Sequence, residues 1–237
     1  MKNAHDDIRR LISAVFSSLL LVLCFFAGKG AALLTSGGNI QVREKEYCVV
    51  IDAGHGGIDP GKVGFNGVNE KEINLEIAFL LKNYLEAQDV KVVMTRESDE
   101  GLYDADATNK KVQDMKRRVA MIEEYAPDVA VSIHQNSYPQ ENVKGAQVFY
   151  YGGSKEGSRL AAILQDVLID RLDKENRRRE KANDSYYMLK KTSVPIVIVE
   201  CGFLSNAEEA KKLCDEGYRD DLAWAIHLGI LRYLYGE

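Results

Sequence analysis

At 237 residues, the chain has room for one substantial domain and a short appendage. It is 46% hydrophobic and 28% charged, the balance of a globular protein rather than a disordered one. A formal net charge of -5 argues against a nucleic-acid partner, which calls for a basic surface.

The N-terminus departs from this average. Lys2, Arg9 and Arg10 precede an apolar run from Leu11 to Ala27 that only Ser13, Ser17 and Ser18 interrupt. As a helix the run is roughly 26 Å long, short for a stable span. Positive flank, apolar run and the small residues Gly30-Ala31-Ala32 occur in the order of a secretory signal. Residues 1–27 are therefore expected to be a signal peptide, or an uncleaved signal anchor holding the protein to a membrane through residues 11–27. Residues 28–46 read as a Gly-rich linker and 47–237 as the folded domain. Cys48, Cys201 and Cys214 lie in that domain with no CxxC spacing, and they are expected to be buried free thiols.

Cys48 to Asp52 reads as the first strand, running into Ala53-Gly54-His55-Gly56-Gly57. A glycine-rich loop follows to Gly67. Asn69 is the expected N-cap of a helix from Glu70 to Ala87, with Ile73, Ile77, Leu80, Leu81 and Tyr84 as its apolar stripe. Val90 to Thr95 is a second strand, and Arg96 to Asn109 a polar surface loop. Val112, Met115, Val119 and Ile122 mark the next helix. Val129 to Ile133 is a strand delivering His134-Gln135-Asn136, Gly145 to Tyr151 another, and Glu156 to Leu172 a helix. The charge-dense stretch from Asp173 to Asp184 reads as a solvated helix end and loop, and Ser185 to Leu189 as a short strand. Pro195 to Val199 is a β-branched strand ending at Glu200. Helices over Ala207 to Cys214 and Gly217 to Tyr235 close the chain, with His227 off the stripe of the last. This alternation predicts a single α/β domain with a largely parallel sheet covered on both faces.

Open α/β sheets place their chemistry at the carboxyl ends of the strands. Three strands here end in a chemically capable residue: His55, His134 and Glu200. Glu70 opens the helix after the glycine-rich loop, with Glu72 and Glu76 as close alternatives. Two neutral imidazoles and a carboxylate form a usual ligand set for a catalytic zinc with a position left for water. A second, non-ligating carboxylate can move the proton. The inventory suits zinc-assisted hydrolysis of an amide.

Four ordered motifs carry a resemblance. They are Asp52-Ala53-Gly54-His55-Gly56-Gly57, then Asn69-Glu70-Lys71, then Ser132-Ile133-His134-Gln135-Asn136, then Val199-Glu200-Cys201-Gly202-Phe203-Leu204-Ser205-Asn206. Together they resemble the zinc-dependent N-acetylmuramoyl-L-alanine amidases of the Amidase_3 type over about residues 47 to 235. The resemblance implies a mixed six-stranded sheet flanked by helices. It implies zinc ligands at His55, Glu70 and His134 and a catalytic glutamate at Glu200, selecting Glu70 because a lysine follows it. It also implies the reaction, cleavage of the amide between the lactyl group of N-acetylmuramic acid and the L-alanine of the peptidoglycan stem. In that scheme Glu200 takes a proton from the attacking water and returns it to the L-alanine nitrogen.

Thr95-Arg96-Glu97-Ser98-Asp99, the polar loop after it and Gly145-Ala146-Gln147-Val148-Phe149-Tyr150-Tyr151-Gly152 are similar to the germination-specific, spore-cortex branch of the family, whose members release stem peptides so that muramic-δ-lactam can form. A general wall-turnover or cell-separation amidase, and a non-catalytic wall-binding protein, are the alternatives. The expected setting is extracytoplasmic, in the cell wall, at the membrane or in the spore intermembrane space, with peptidoglycan as substrate and an activating lipoprotein as partner. Cys201 and Gln135 depart from the family pattern without removing a ligand, and Asn136 and Arg96 are candidates for lining the groove.

Overall fold

A computed structural model describes residues 18–19, 46–64 and 67–236. The expected signal segment and linker lie outside the described residues apart from Ser18, Leu19 and Glu46. The elements run β1 (Cys48–Ala53), α1 (Glu70–Glu86), β2 (Lys91–Met94), α2 (Lys110–Tyr125), β3 (Val129–Asn136) and β4 (Gln147–Tyr150), then α3 (Lys155–Leu172), β5 (Lys181–Ala182), α4 (Tyr187–Lys191), β6 (Ile196–Phe203), α5 (Ala207–Leu213) and α6 (Glu216–Tyr235). The strands form one sheet in the order β2-β1-β3-β6-β4-β5. All pairings are parallel except β4 against β6. The expected α/β domain, with a six-stranded, mostly parallel mixed sheet, is the one observed.

Strand periodicity decides where the chemistry sits. Val49, Ile51 and Ala53 of β1, Val129, Val131 and Ile133 of β3, and Val197, Val199 and Cys201 of β6 belong to the larger core, shared with α1, α3 and α6. The alternate residues face the other way. There Val50, Ala130, Ile196 and Ile198 pack with Ile122 of α2 and Met188 and Leu189 of α4. Continuing up that second face brings Asp52, Ser132, His134 and Glu200 onto one surface. Parallel register sets Asp52 beside Ser132 and His134 beside Glu200. A one-residue slip would send all four into the larger apolar core.

Three expectations are corrected. Residues Ser185 to Leu189 do not form a strand. Asn183 Oδ1 accepts from the backbone N–H groups of Ser185 and Tyr186, and this turn starts α4. Met188 and Leu189 are then both buried, which adjacent residues of a strand cannot achieve on one face. The strand in this region is instead the two-residue β5, inside the charge-dense segment. His227 is not off the packed side of its helix but 2% exposed. Its ring stands 4.9 Å from Trp224 and 5.6 Å from Tyr84, and neither ring nitrogen has a hydrogen-bond partner among the described residues. Of Cys48, Cys201 and Cys214, expected to be buried, only Cys201 is fully so.

Burial lowers the His227 pKa below its ordinary 6.5. The unfolded chain therefore takes up this proton first, and stability falls as pH drops below about 6.5. In chemical denaturation between pH 7 and pH 5, His227→Phe should lose less stability than the wild type. Equal losses would mean that this imidazole does not contribute to the acid slope.

Candidate metal centre

His55 follows β1, Glu70 is the first residue of α1, and His134 lies near the end of β3. One donor atom from each falls within 4.8 Å of the others. His55 Nε2 is 3.1 Å from Glu70 Oε1, and His134 Nδ1 is 2.9 Å from the same oxygen. The two imidazoles stand edge to face with centroids 4.9 Å apart. Glu72 and Glu76 are engaged elsewhere, with Asn69 and Arg219. All three residues expected as ligands are thus brought together.

Glu70 is held from several sides. Its Oε2 accepts from the Lys62 N–H at 2.8 Å and its Oε1 from the Gln135 N–H at 3.0 Å. Gln135 turns its side chain to Asn74, which in turn holds the Gly54 carbonyl. Burial opposes charge on Glu70, but His134 and His55 hold its carboxyl well below the usual carboxylate range. Conversely, burial disfavours charge on His134, yet Glu70 outweighs it and lifts the imidazole to about 9. The donor set therefore draws positive charge between its members, a requirement that a divalent cation meets. The backbone closes tightly round it. A Cβ on Gly54 would come within 2.3 Å of the His134 ring, and one on Gly61 within 2.5 Å of Glu70 Oε2.

His55 has φ +65°, a left-handed conformation that costs a non-glycine residue about 1 kcal/mol. Buried charge holds it there. Arg118 donates to the carbonyls of His55 at 2.6 Å and Ala53 at 2.8 Å, and to Asp52 Oδ1 at 2.7 Å. Burial disfavours charge on Asp52, but Arg118, Ser132 and Thr95 bring its pKa down to about 2. From the other side, Asp59 Oδ2 lies 3.1 Å from His55 Nδ1, which leaves Nε2 turned to Glu70. Arg96 opens the expected surface loop but is itself buried. It is 4% exposed and donates to the carbonyls of Ala53, Gly54 and Lys71, so it braces the loop and does not line the groove. Asn136 does line the cavity.

Asp52, Asp59 and Arg118 are structural members of the site that sequence reasoning missed. Arg118 carried a signal, since it lies on the same helical face as Met115 and Ile122. Asp52, a carboxylate at the end of an apolar strand, carried another, since a charge buried there needs a partner.

Glu200 stands in register beside His134 and is 7% exposed. Burial pushes its carboxyl up to about 7, with Glu70 adding to the rise and His134 opposing it. Its Oε2 has no hydrogen-bond partner among the described residues. A buried carboxylate near neutrality, hydrogen-bonded to Tyr186 but with one oxygen left over and next to a cation socket, can take and return a proton. Tyr186, which burial pushes up to about 12, stays protonated on the same cavity wall. The cavity over the site has a volume of about 660 Å³.

Residues 49–232 match the family described as N-acetylmuramoyl-L-alanine amidase. The chain is 37% identical over 188 residues to the germination-specific N-acetylmuramoyl-L-alanine amidase of Bacillus subtilis (strain 168), covering 78% of each. Among solved structures it resembles the CwlD amidase from Clostridioides difficile, determined in complex with the GerS lipoprotein. That match has 38% identity and TM-score 0.78, over 81% of this chain and 100% of the other. An N-acetylmuramoyl-L-alanine amidase from Clostridium difficile 630 matches at 33% identity and TM-score 0.72, over 81% and 98%.

If Asp59 orients His55, Asp59→Ala should weaken divalent-metal affinity about 10- to 100-fold in competition with a chromophoric chelator. Unchanged affinity would remove Asp59 from the support of the site.

Proposed function

The chain belongs to the N-acetylmuramoyl-L-alanine amidase family, and from that premise we propose that it cleaves the lactyl–L-alanine amide of peptidoglycan with a zinc ion held by His55, Glu70 and His134. The observation that carries this reading is the convergence of those donors with Glu200 in register beside them. Imidazole nitrogens and one carboxylate are a donor set that suits zinc. When bound, zinc supplies Lewis-acid polarisation of the scissile carbonyl and acidifies a water.

The chain's own residues do the rest. His55 is oriented by Asp59, and Glu70 is fixed by the Lys62 and Gln135 amides, so the ligands need little reorganisation. Glu200 Oε2 accepts the proton of the attacking water. With its pKa near 7 it then returns that proton to the departing L-alanine nitrogen, so one carboxyl serves as base and then acid. The glycan keeps a free lactyl carboxylate, and the peptide leaves with an amino terminus.

The biological setting is also part of the proposal. Similarity to a germination-specific amidase supports a role in spore cortex, where removing the stem frees the lactyl carboxyl for muramic-δ-lactam formation. The complex of the similar CwlD amidase with a lipoprotein supports an activating partner of that kind. The order of charge, apolar run and small residues in 1–32 supports export and anchoring through residues 11–27. No helix among the described residues is long and apolar enough to cross a membrane.

Glu200→Gln should retain zinc at wild-type stoichiometry and lose at least about a hundredfold in turnover, the loss expected for a missing general base. The assay is release of peptide from purified peptidoglycan, with metal content measured on the same sample. Retained turnover would take Glu200 out of the mechanism.

A further inference from the structure

The charged residues around the cavity are nearly all committed to one another. Asp52 and Asp114 pair with Arg118, and Asp59 pairs with His55 and Lys111. Glu70 lies between the two imidazoles. Lys62 is different. It lines the same cavity, is exposed, and its side chain has neither an ion pair nor a hydrogen bond among the described residues. Its backbone, by contrast, is clamped to the reaction centre. The Lys62 N–H donates to Glu70 Oε2 at 2.8 Å, and the Lys62 carbonyl accepts from the Glu70 N–H at 2.8 Å. A cation with no side-chain partner among the described residues is therefore tied by two backbone hydrogen bonds to Glu70.

The lining next to Glu200 has another character. Tyr186, hydrogen-bonded to Glu200, lines the cavity together with Tyr187, Met188 and Ile198. Aromatic and apolar side chains suit the uncharged faces of a sugar ring. The two halves of the substrate differ in the same sense. With its lactyl carboxyl tied up in the amide, the muramoyl side carries no charge, whereas the peptide side carries carboxylates.

We propose that Lys62 is a specificity residue of this site. Its ammonium receives a carboxylate of the stem peptide close to the scissile amide, so the peptide lies along the loop between β1 and α1 and the glycan against Tyr186 and Tyr187. The assignment rests on the amidase reading, because it takes the uncharged and anionic halves of the substrate from that reaction. An exposed ammonium–carboxylate pair contributes modestly, so the effect is a bias of severalfold and not an absolute requirement.

The test uses two muropeptides that are identical except at the residue after L-alanine, whose α-carboxyl is free in one and a carboxamide in the other. The zinc-loaded full chain should prefer the acid. Lys62→Met should reduce the acid-to-amide ratio of kcat/KM about fivefold, and Lys62→Arg should restore most of it. A ratio that Lys62→Met leaves unchanged would overturn the proposal, whatever happens to the two rates together. Calorimetric binding of the corresponding free peptides, acid and amide, reads the same selectivity without turnover. Absence of turnover by the wild type would count against the amidase reading, and the binding ratio would then decide Lys62 on its own.

Discussion

The buried pair between Asp52 and Arg118 is the interaction on which the site depends. Asp52 ends a strand in the middle of the sheet, and Arg118 reaches it from α2 with both side chains 1% exposed. An isolated buried charge of either sign would cost several kcal/mol, so removing one partner is far more damaging than the pair is stabilising. What the pair secures is position. The same guanidinium holds the carbonyls of Ala53 and His55, and through them a histidine in a left-handed conformation. Ser132 of the neighbouring strand and Thr95 beyond β2 complete the shell around Asp52. One ion pair thus ties β1, β3, the residue after β2 and α2 to the backbone of His55.

Above that pair the charges are ordered by height along the sheet. Asp52 and Glu70 are held ionised by cations and imidazoles, while Glu200 is left without such a partner on Oε2. Burial and the neighbouring negative charge of Glu70 push Glu200 towards neutrality. Two carboxylates on one site are in this way given different electrostatic states, which suit the proposed tasks of binding a cation and exchanging a proton. The division comes from their neighbours and not from their identity, since both are glutamates.

Much of this was legible in the sequence. The apolar strands, the amphipathic helices and the three strand ends carrying His55, His134 and Glu200 follow from periodicity and from the rule for parallel sheets. The choice of Glu70 over Glu72 needed either the resemblance or the structure, because all helical-turn neighbours look alike in one dimension. Long-range partners were harder. Asp52 and Arg118 are far apart in the chain, and nothing local says that they meet. Arg96 looked like a surface residue because its neighbours are polar, yet it is buried by carbonyls that turn inward. Ser185 to Leu189 misled through its tyrosines, which favour strands, while the deciding feature was a turn set by Asn183. His227 was hidden by the same ambiguity, since a histidine stacked on two aromatic rings has no signature in the helix pattern.

The most direct measurement is crystallographic. Diffraction data collected on either side of the zinc absorption edge, from crystals of the zinc-loaded protein, locate the ion through its anomalous signal. The account predicts a single strong site bonded to His55 Nε2, a Glu70 carboxylate oxygen and His134 Nδ1, with Glu200 close by but not bonded to it. An ion placed on other residues, or one ligated by Glu200, would contradict it.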